Sequence, residues 1–159
     1  MRNIVIVFFL LSILAICGNK TYSQQDKIKA GIMQVYDDFS TGNVQDLGTY
    51  IDAGFIEHTP APNQKDGLEG LKGLIGDLKT AFPDGKFIIK DIIISGSKAS
   101  VLSEYTGTNT GTFMGMPATN KPVDFMNIDY LLFNSSGKCT EHWGYGDDFK
   151  MMSQLGLMK

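Results

Sequence analysis

The chain has 159 residues, of which 43% are hydrophobic and 19% are charged, and its formal net charge is −3. This composition excludes an intrinsically disordered chain, and the length suits one domain that buries a sizeable core. The acidic balance also argues against a nucleic-acid partner, because such a partner requires a basic face.

The N-terminal segment is predicted to be a secretory signal peptide covering residues 1–23. Arg2 supplies the charged start, residues 4–17 form an apolar run too short for a comfortable membrane span, and small residues at 21–23 favour cleavage after Ser23. The sequence therefore predicts an exported protein, periplasmic or secreted. The alternative is a membrane-anchored lipoprotein, because residues 14–17 form an imperfect lipobox that ends in Cys17.

Cleavage after residue 23 would leave 12 basic and 17 acidic residues, a net charge of −5, with no arginine. A mature chain of this kind lacks the bidentate clamps that usually bind phosphates and carboxylates. Cys139 would be its single cysteine, which rules out an intramolecular disulfide, and the strand pattern around it predicts a buried, unreactive thiol.

Three helices are predicted in the first half of the domain. Residues 24–40 carry apolar side chains at spacings of three and four, and a short second helix is predicted from Val44 to about Gly54. Asp66 and Glu69 form the pattern of a capping box, which predicts a third helix that ends before Pro83.

The second half is rich in β-branched and aromatic residues and predicts four antiparallel strands, at 87–95, 97–110, 123–133 and 138–145. Residues 134–137 predict a hairpin turn, residues 111–121 a longer loop, and the segment after Asp147 a closing helix. The predicted class is α+β with one domain over residues 24–159. A curved sheet covered by helices would enclose a small-molecule pocket.

The strongest functional signal lies where the last strand meets the last helix. His142, Trp143, Tyr145, Asp147 and Asp148 crowd this junction. One aspartate is enough to cap the helix, so the second is free for another role. Asn127 and Asp129 alternate with apolar residues on the preceding strand, and they either face the cavity or pair with the next strand.

Several segments occur in the order and at the spacing of a known family: residues 81–84, 106–111, 113–121, 141–143, Asp147 and 154–156. From Gln24 to its C-terminus, the chain resembles the SnoaL-like polyketide cyclases, also called the ester-cyclase family, within the nuclear-transport-factor-2-like superfamily. The resemblance implies a cone-shaped barrel of a curved antiparallel sheet, with three N-terminal helices and a short C-terminal helix. It also implies a deep apolar pocket and a homodimer.

The resemblance further implies an aldol-type cyclase or a related lyase or isomerase that uses neither metal nor organic cofactor. Asp147 would be the general acid/base, with His142 and His58 as catalytic partners, acting on a small apolar carbonyl or ester compound. The alternative is a non-catalytic binding or scavenging domain, favoured by Asn109 and Leu132, which stand where the family usually has His and Arg. The residues expected to bind the substrate are Trp143, Tyr145, Tyr105, Asn109, Phe113, Met114, Met116 and Asn127.

Overall fold

The computed structural model describes residues 23–158, so the predicted signal peptide and the Cys17 lipid anchor lie outside the described residues, apart from Ser23. None of the described helices is both long enough and apolar enough to cross a membrane. The elements in chain order are α1 (Gln24–Thr41), α2 (Leu47–Tyr50), β1 (Ile51–Glu57), α3 (Gly67–Ala81), β2 (Lys86–Ser95), β3 (Lys98–Thr108), β4 (Pro122–Phe133), β5 (Cys139–Gly146) and α4 (Asp148–Leu155).

One mixed sheet carries the strands in the order β1-β5-β4-β3-β2. The four predicted strands are present as β2 to β5, and each pairs antiparallel with the next. The predicted turn at residues 134–137 connects β4 to β5. The prediction missed the fifth strand, β1, which pairs parallel with β5 at the edge of the sheet. The α+β class with a curved sheet is confirmed, and the sheet is open rather than closed into a barrel.

The predicted second helix was wrong beyond Tyr50, because residues 51–54 belong to β1. Ile51 and Phe55 are four residues apart and both are buried, so they satisfy a helical period equally well. Pairing with β5 satisfies the backbone groups of this segment, with a register shift between Ile51 and Ile56. Long-range pairing therefore overrides the local periodicity.

The helix ends only partly follow the predicted capping chemistry. Ser23 and Asp26 form a capping box at the start of α1, and Gly42 ends that helix in the left-handed conformation. Asp66 occupies the N-cap position of α3, but its side chain makes no capping hydrogen bond, so the predicted capping box is wrong. Asp147 caps α4 by accepting a hydrogen bond from the Lys150 backbone N–H.

The core consists of two apolar clusters. The first joins α1, α3 and β1 to the sheet and includes Ile32, Phe55 and Phe133. The second joins the end of α3 and α4 to the opposite end of the sheet and includes Phe82 and Tyr105. Residues of both clusters line one cavity, so the interior is not filled where the two clusters meet.

Candidate active site

A cavity of about 390 Å³ lies between the inner face of the sheet and the helices. Its volume falls near the lower end of the range typical of small-molecule sites. Most of its wall is apolar or aromatic, and no lysine among residues 23–158 contributes to it. The acidic and histidine side chains in the wall are Glu57, Asp129, His142 and Asp148.

Three of these ionisable groups form a continuous array. The Nδ1 atom of His142 lies 2.6 Å from Oε2 of Glu57, and its Nε2 atom lies 2.9 Å from Oδ1 of Asp129. The side chains are 22%, 6% and 17% exposed for His142, Glu57 and Asp129. Glu57 is therefore the deepest member, while His142 and Asp129 retain some access to the cavity.

Strand register explains how residues 57, 129 and 142 meet. Glu57 is the register partner of His142 in the parallel β1–β5 pair. Asp129 is opposite Gly144 in the antiparallel β4–β5 pair, one diagonal step from His142. A Cβ atom at position 144 would lie 2.9 Å from Cε1 of His142 and 3.0 Å from Oδ1 of Asp129. Glycine at this position therefore leaves the space in which the imidazole reaches the second carboxylate.

The geometry requires a protonated imidazole. Both ring nitrogens face carboxylate oxygens, and only the imidazolium has two N–H groups to donate. Burial alone would lower the pKa of His142, but the hydrogen bonds and charges of Asp129 and Glu57 outweigh it and raise this pKa to about 9. The array therefore carries two negative charges and one positive charge at neutral pH.

Further hydrogen bonds support both carboxylates. Burial alone would raise the pKa of Glu57, but His142 and then the backbone and hydroxyl of Thr59 lower it. The Thr59 hydroxyl also accepts a hydrogen bond from the Gly144 N–H at 2.7 Å, which ties the loop after β1 to β5. On the other side, the Tyr36 hydroxyl donates to Oδ2 of Asp129. Burial, together with the Asp129 charge, raises the pKa of Tyr36.

Six of the residues expected from the sequence line the cavity: His142, Tyr145, Tyr105, Phe113, Met114 and Asn127. Tyr145 and Met114 are more than half exposed, which places them at its opening. The open question about residues 127 and 129 is answered by the fold, since both side chains belong to the cavity wall. The predicted buried state of Cys139 is confirmed, and burial raises its pKa to about 12.

Asp147, the predicted general acid/base, is exposed and is absent from the cavity wall. Its Oδ1 accepts the Lys150 N–H, so its carboxylate acts as a helix cap. Its neighbour Asp148 contributes to the wall instead. Asp147 is therefore not placed to take a proton from a molecule in the cavity.

Asn109 and Met116 also lie outside the cavity wall. The side chain of Asn109 is buried; it donates to the carbonyl groups of Ala81 and Gly111 and accepts from Thr119. These bonds hold the base of the loop between β3 and β4. Met116 packs against the second apolar cluster. The structure thus gives both residues architectural contacts in place of the substrate contacts expected from the sequence.

His58 and Trp143 lie on the outer side of the sheet. Their rings stack with centroids 3.9 Å apart and an interplanar angle of 4°. The Nε2 atom of His58 lies 2.8 Å from Oε2 of Glu141, and neither ring contributes to the cavity wall. Because side chains alternate along a strand, residues 141 and 143 point away from the side on which His142 lies. The expected catalytic role of His58 and the expected substrate contact of Trp143 have no support in this placement.

Sequence reasoning missed two members of the polar site, Glu57 and Tyr36. Tyr36 belongs to the apolar periodicity that predicted a helix over residues 24–40, and Glu57 lay in a segment that was not predicted to be a strand. Alternation along β1 would have paired Phe55 with Glu57 on the inner face, but β1 had to be recognised first.

The helices and the curved sheet thus enclose a mostly apolar cavity whose wall contains a carboxylate–imidazolium–carboxylate array, an arrangement that is common at small-molecule sites. A family profile described as SnoaL-like polyketide cyclase matches residues 30–155. The chain belongs to this family, and the resemblance found in its motifs is confirmed. No curated protein matches the chain significantly.

Solved structures show the same fold. A candidate polyketide cyclase from Bacillus cereus ATCC 10987 is similar, with 26% identity, a TM-score of 0.75 and 87% of each chain covered. IdmH, a candidate polyketide cyclase from Streptomyces antibioticus, has 25% identity and a TM-score of 0.70 over 81% of this chain and 98% of its own. AclR, a candidate hydroxylase from Streptomyces galilaeus, has 20% identity and a TM-score of 0.72 over 86% and 84%, which shows a likeness of fold alone.

Proposed function

We propose that the protein is a cofactor-independent acid/base enzyme of the cyclase or isomerase type, with Asp129 as the general base in place of the predicted Asp147. The substrate would be a small neutral compound with a carbonyl or ester group. The observation that supports this most strongly is the buried array of Glu57, His142 and Asp129 in the wall of the apolar cavity.

The net charge of the array supports its role as a base. Two carboxylates and one imidazolium leave the array with one excess negative charge, so a proton taken from a substrate carbon would bring its net charge to zero. Asp129 is the carboxylate that meets the proton, because Glu57 is only 6% exposed.

An intramolecular aldol closure needs no further reactant. Asp129 takes a proton from the carbon next to a carbonyl, the enolate carbon bonds to a second carbonyl carbon of the same molecule, and the resulting alkoxide receives the proton back. The proton moves from carbon to oxygen, and atoms and charge balance. The hydroxyl of Tyr36 borders the same carboxylate and can stabilise the developing oxygen charge.

The alternative is a binding or scavenging domain that uses the same cavity. It is favoured by the fact that both oxygens of Asp129 already accept hydrogen bonds, one from Tyr36 and one from His142. A base in this state must exchange one partner for the substrate before it reacts. The two functions differ in whether turnover, and not only binding, depends on the charge of Asp129.

The test compares Asp129→Asn with Asp147→Asn, each assayed by mass spectrometry for conversion of β-dicarbonyl esters that can cyclise. We expect Asp129→Asn to lower kcat by about 100-fold or more, since general acid/base groups contribute about 10²–10⁴-fold. The Asp147→Asn enzyme should keep kcat within a few-fold. Equal turnover in wild type and Asp129→Asn would contradict this assignment. Retained binding without any turnover would support the binding domain instead.

We also propose export and homodimerisation as properties of this protein. Export is supported by the leader pattern of residues 1–23 and is tested by N-terminal sequencing of the protein recovered from periplasm or medium.

A dimer through the outer sheet face is supported by exposed apolar side chains that include Leu102 and Ile128, which are paired in register. Light scattering of wild type and Ile128→Glu tests it, because the charge would dissociate such a dimer.

A further inference from the structure

Two residues of the cavity wall have a buried side-chain NH₂ group with no hydrogen-bond partner among the described residues. The nitrogen atoms are Nδ2 of Asn127, on β4, and Nε2 of Gln64, in the loop between β1 and α3. A buried donor left unpaired costs about 1–3 kcal/mol, and native proteins rarely tolerate it without a reason. Both residues contribute to the wall of the same cavity, so a ligand there lies next to both side chains.

The orientation of the Gln64 amide follows from its neighbours. Its Oε1 accepts the Ala61 N–H at 2.9 Å, which leaves the NH₂ group as the free end. The loop that carries it also contains Thr59, whose hydroxyl is bonded to Glu57 and Gly144. This loop is therefore bonded to the array at one end and contributes Gln64 to the cavity wall at the other.

Asn127 lies on the same strand and the same inner face as Asp129, two residues away. The residue opposite Asn127 is Gly146, and a Cβ atom there would lie 2.6 Å from the Asn127 Oδ1. A side chain at position 146 would thus cover the amide, and glycine leaves it open. The glycines at positions 144 and 146 of β5 therefore leave space next to Asp129 and Asn127, the polar residues of β4 that lie opposite them.

We propose that Gln64 and Asn127 form a two-point site for acceptor oxygens, and that the ligand is a neutral apolar molecule with two such oxygens, as in a diester or a keto ester. This inference rests on the proposed function, because it describes the substrate of the same cavity. An amide NH₂ is a neutral donor and selects an acceptor. The absence from the wall of any lysine among residues 23–158, together with the excess negative charge of the array, selects against carboxylates.

Three probe compounds of similar size separate these features. Dimethyl phthalate has two ester carbonyls, methyl 2-ethylbenzoate has one, and monomethyl phthalate is an anion. Binding is followed by NMR in ¹⁵N-labelled protein, in which the side-chain NH₂ signals of Asn127 and Gln64 report directly. We expect the diester to bind about 3- to 10-fold more tightly than the monoester, and the anion most weakly, with both NH₂ signals shifting only for the diester.

The variants test whether the amides cause this preference. Gln64→Met should lose the preference for the diester, and so should Gln64→Glu, which keeps an acceptor for the Ala61 N–H. Asn127→Leu should act in the same way. Gln45→Met is the matched control, since Gln45 is exposed and lies outside the cavity wall, and it should leave all affinities unchanged. Circular dichroism confirms that each variant is folded.

Equal affinity for diester and monoester in the wild type overturns this inference, as does a preference that survives in both Gln64 variants. Absence of saturable shifts with all three probes also overturns it. The acid/base proposal is judged separately, because Asp129→Asn should abolish turnover while keeping the preference for the diester. If Asp129→Asn turns over normally and the preference is present, the proposed function fails and the two-point site stands.

Discussion

The two histidines of the described chain occupy opposite faces of the same pair of strands. His142 lies on the inner face, between Glu57 and Asp129, and its side chain is 22% exposed. His58 lies on the outer face, stacked on Trp143 and paired with Glu141, and its side chain is 33% exposed. The backbone N–H of His58 even donates to the carbonyl of His142.

The difference between the two sites comes from desolvation. Both histidines have a glutamate partner, at 2.6 Å and 2.8 Å, but only His142 has a second carboxylate and is enclosed by the cavity wall. Partly exposed ion pairs are worth about 0–1 kcal/mol, whereas removing one partner from a buried pair costs about 3–5 kcal/mol. Neighbouring residues of a strand face opposite sides of the sheet, so one histidine lies in a desolvated site with two carboxylates and the other in a partly exposed ion pair.

The largest expected contrast is between Glu57→Gln and Glu141→Gln, which make the same change on the two faces. We expect Glu57→Gln to lower the free energy of unfolding at pH 6 by about 3 kcal/mol, because it leaves the imidazolium with one buried counter-charge. Glu141→Gln should cost less than about 1 kcal/mol. Urea unfolding curves provide the measurement. Similar losses for the two variants would show that burial does not distinguish the faces.

The next contrast is the pH dependence of stability. The pKa of His142 is raised from 6.5 to about 9, so its stabilising contribution is complete below pH 6.5 and is lost as the pH rises through 9. The pKa of Glu57 is lowered from 4.5, so its contribution is complete above pH 4.5 and is lost on acidification. Stability should therefore be highest between about pH 4.5 and 6.5. The alkaline loss should approach about 2–3 kcal/mol.

Denaturant unfolding from pH 5 to 10 measures this loss, and NMR of the histidine Cε1–H signals reads the two titrations separately. His142→Gln should remove most of the alkaline slope, whereas His58→Gln should keep it. An alkaline slope that is unchanged in His142→Gln would contradict the assignment of the raised pKa to the inner histidine.

A smaller effect is expected from Gly144→Ala. The new Cβ would displace the imidazole from Asp129 and lengthen the contact between His142 and Asp129. We expect the pKa of His142 to fall by about one unit, which corresponds to about 1.4 kcal/mol. Gly73→Ala is the control, since a Cβ atom there meets nothing within 4 Å, and it should leave the titration unchanged. An unshifted pKa in Gly144→Ala would argue against the steric role of this glycine.

The smallest effect is expected from His58→Ala on the outer face. Loss of the stacked ring and of a partly exposed ion pair should cost about 1 kcal/mol or less. Turnover, once a substrate is known, should stay within a few-fold of wild type. A loss of kcat comparable to that of Asp129→Asn would restore His58 as a catalytic candidate and would break the distinction between the two faces.

Most of the fold was predictable from local patterns. The periodicity of residues 24–40, the capping sequence before α3 and the β-branched runs after Lys86 predicted their elements within a few residues. The exception, β1, is an edge strand with a register shift, and its inner residues Ile51 and Phe55 fit a helical spacing equally well. Its strand conformation depends on β5, which lies more than 80 residues away in sequence.

The candidate site was less predictable than the fold. The motif at residues 141–148 drew attention to the correct strand end, and six expected residues do line the cavity. Asp147 and Trp143 were chosen within this motif, and His58 was chosen because the family resemblance implied a histidine at that position. Proximity in sequence cannot separate the two faces of a strand without the register, and a capping carboxylate resembles a catalytic one until its hydrogen bonds are known.

The family, the α+β class, the positions of most elements and the apolar character of the interior follow from local sequence, because they depend on periodicity, turn chemistry and motif spacing. The three-dimensional fold alone brings Glu57, Asp129 and His142 into one desolvated site and leaves His58 and Asp147 outside it. The reason is that the three residues lie on three different strands, β1, β4 and β5. Glu57 and His142 meet through the parallel pairing of β1 with β5, and Asp129 reaches His142 diagonally, next to Gly144. These relations depend on long-range register, which local sequence does not encode.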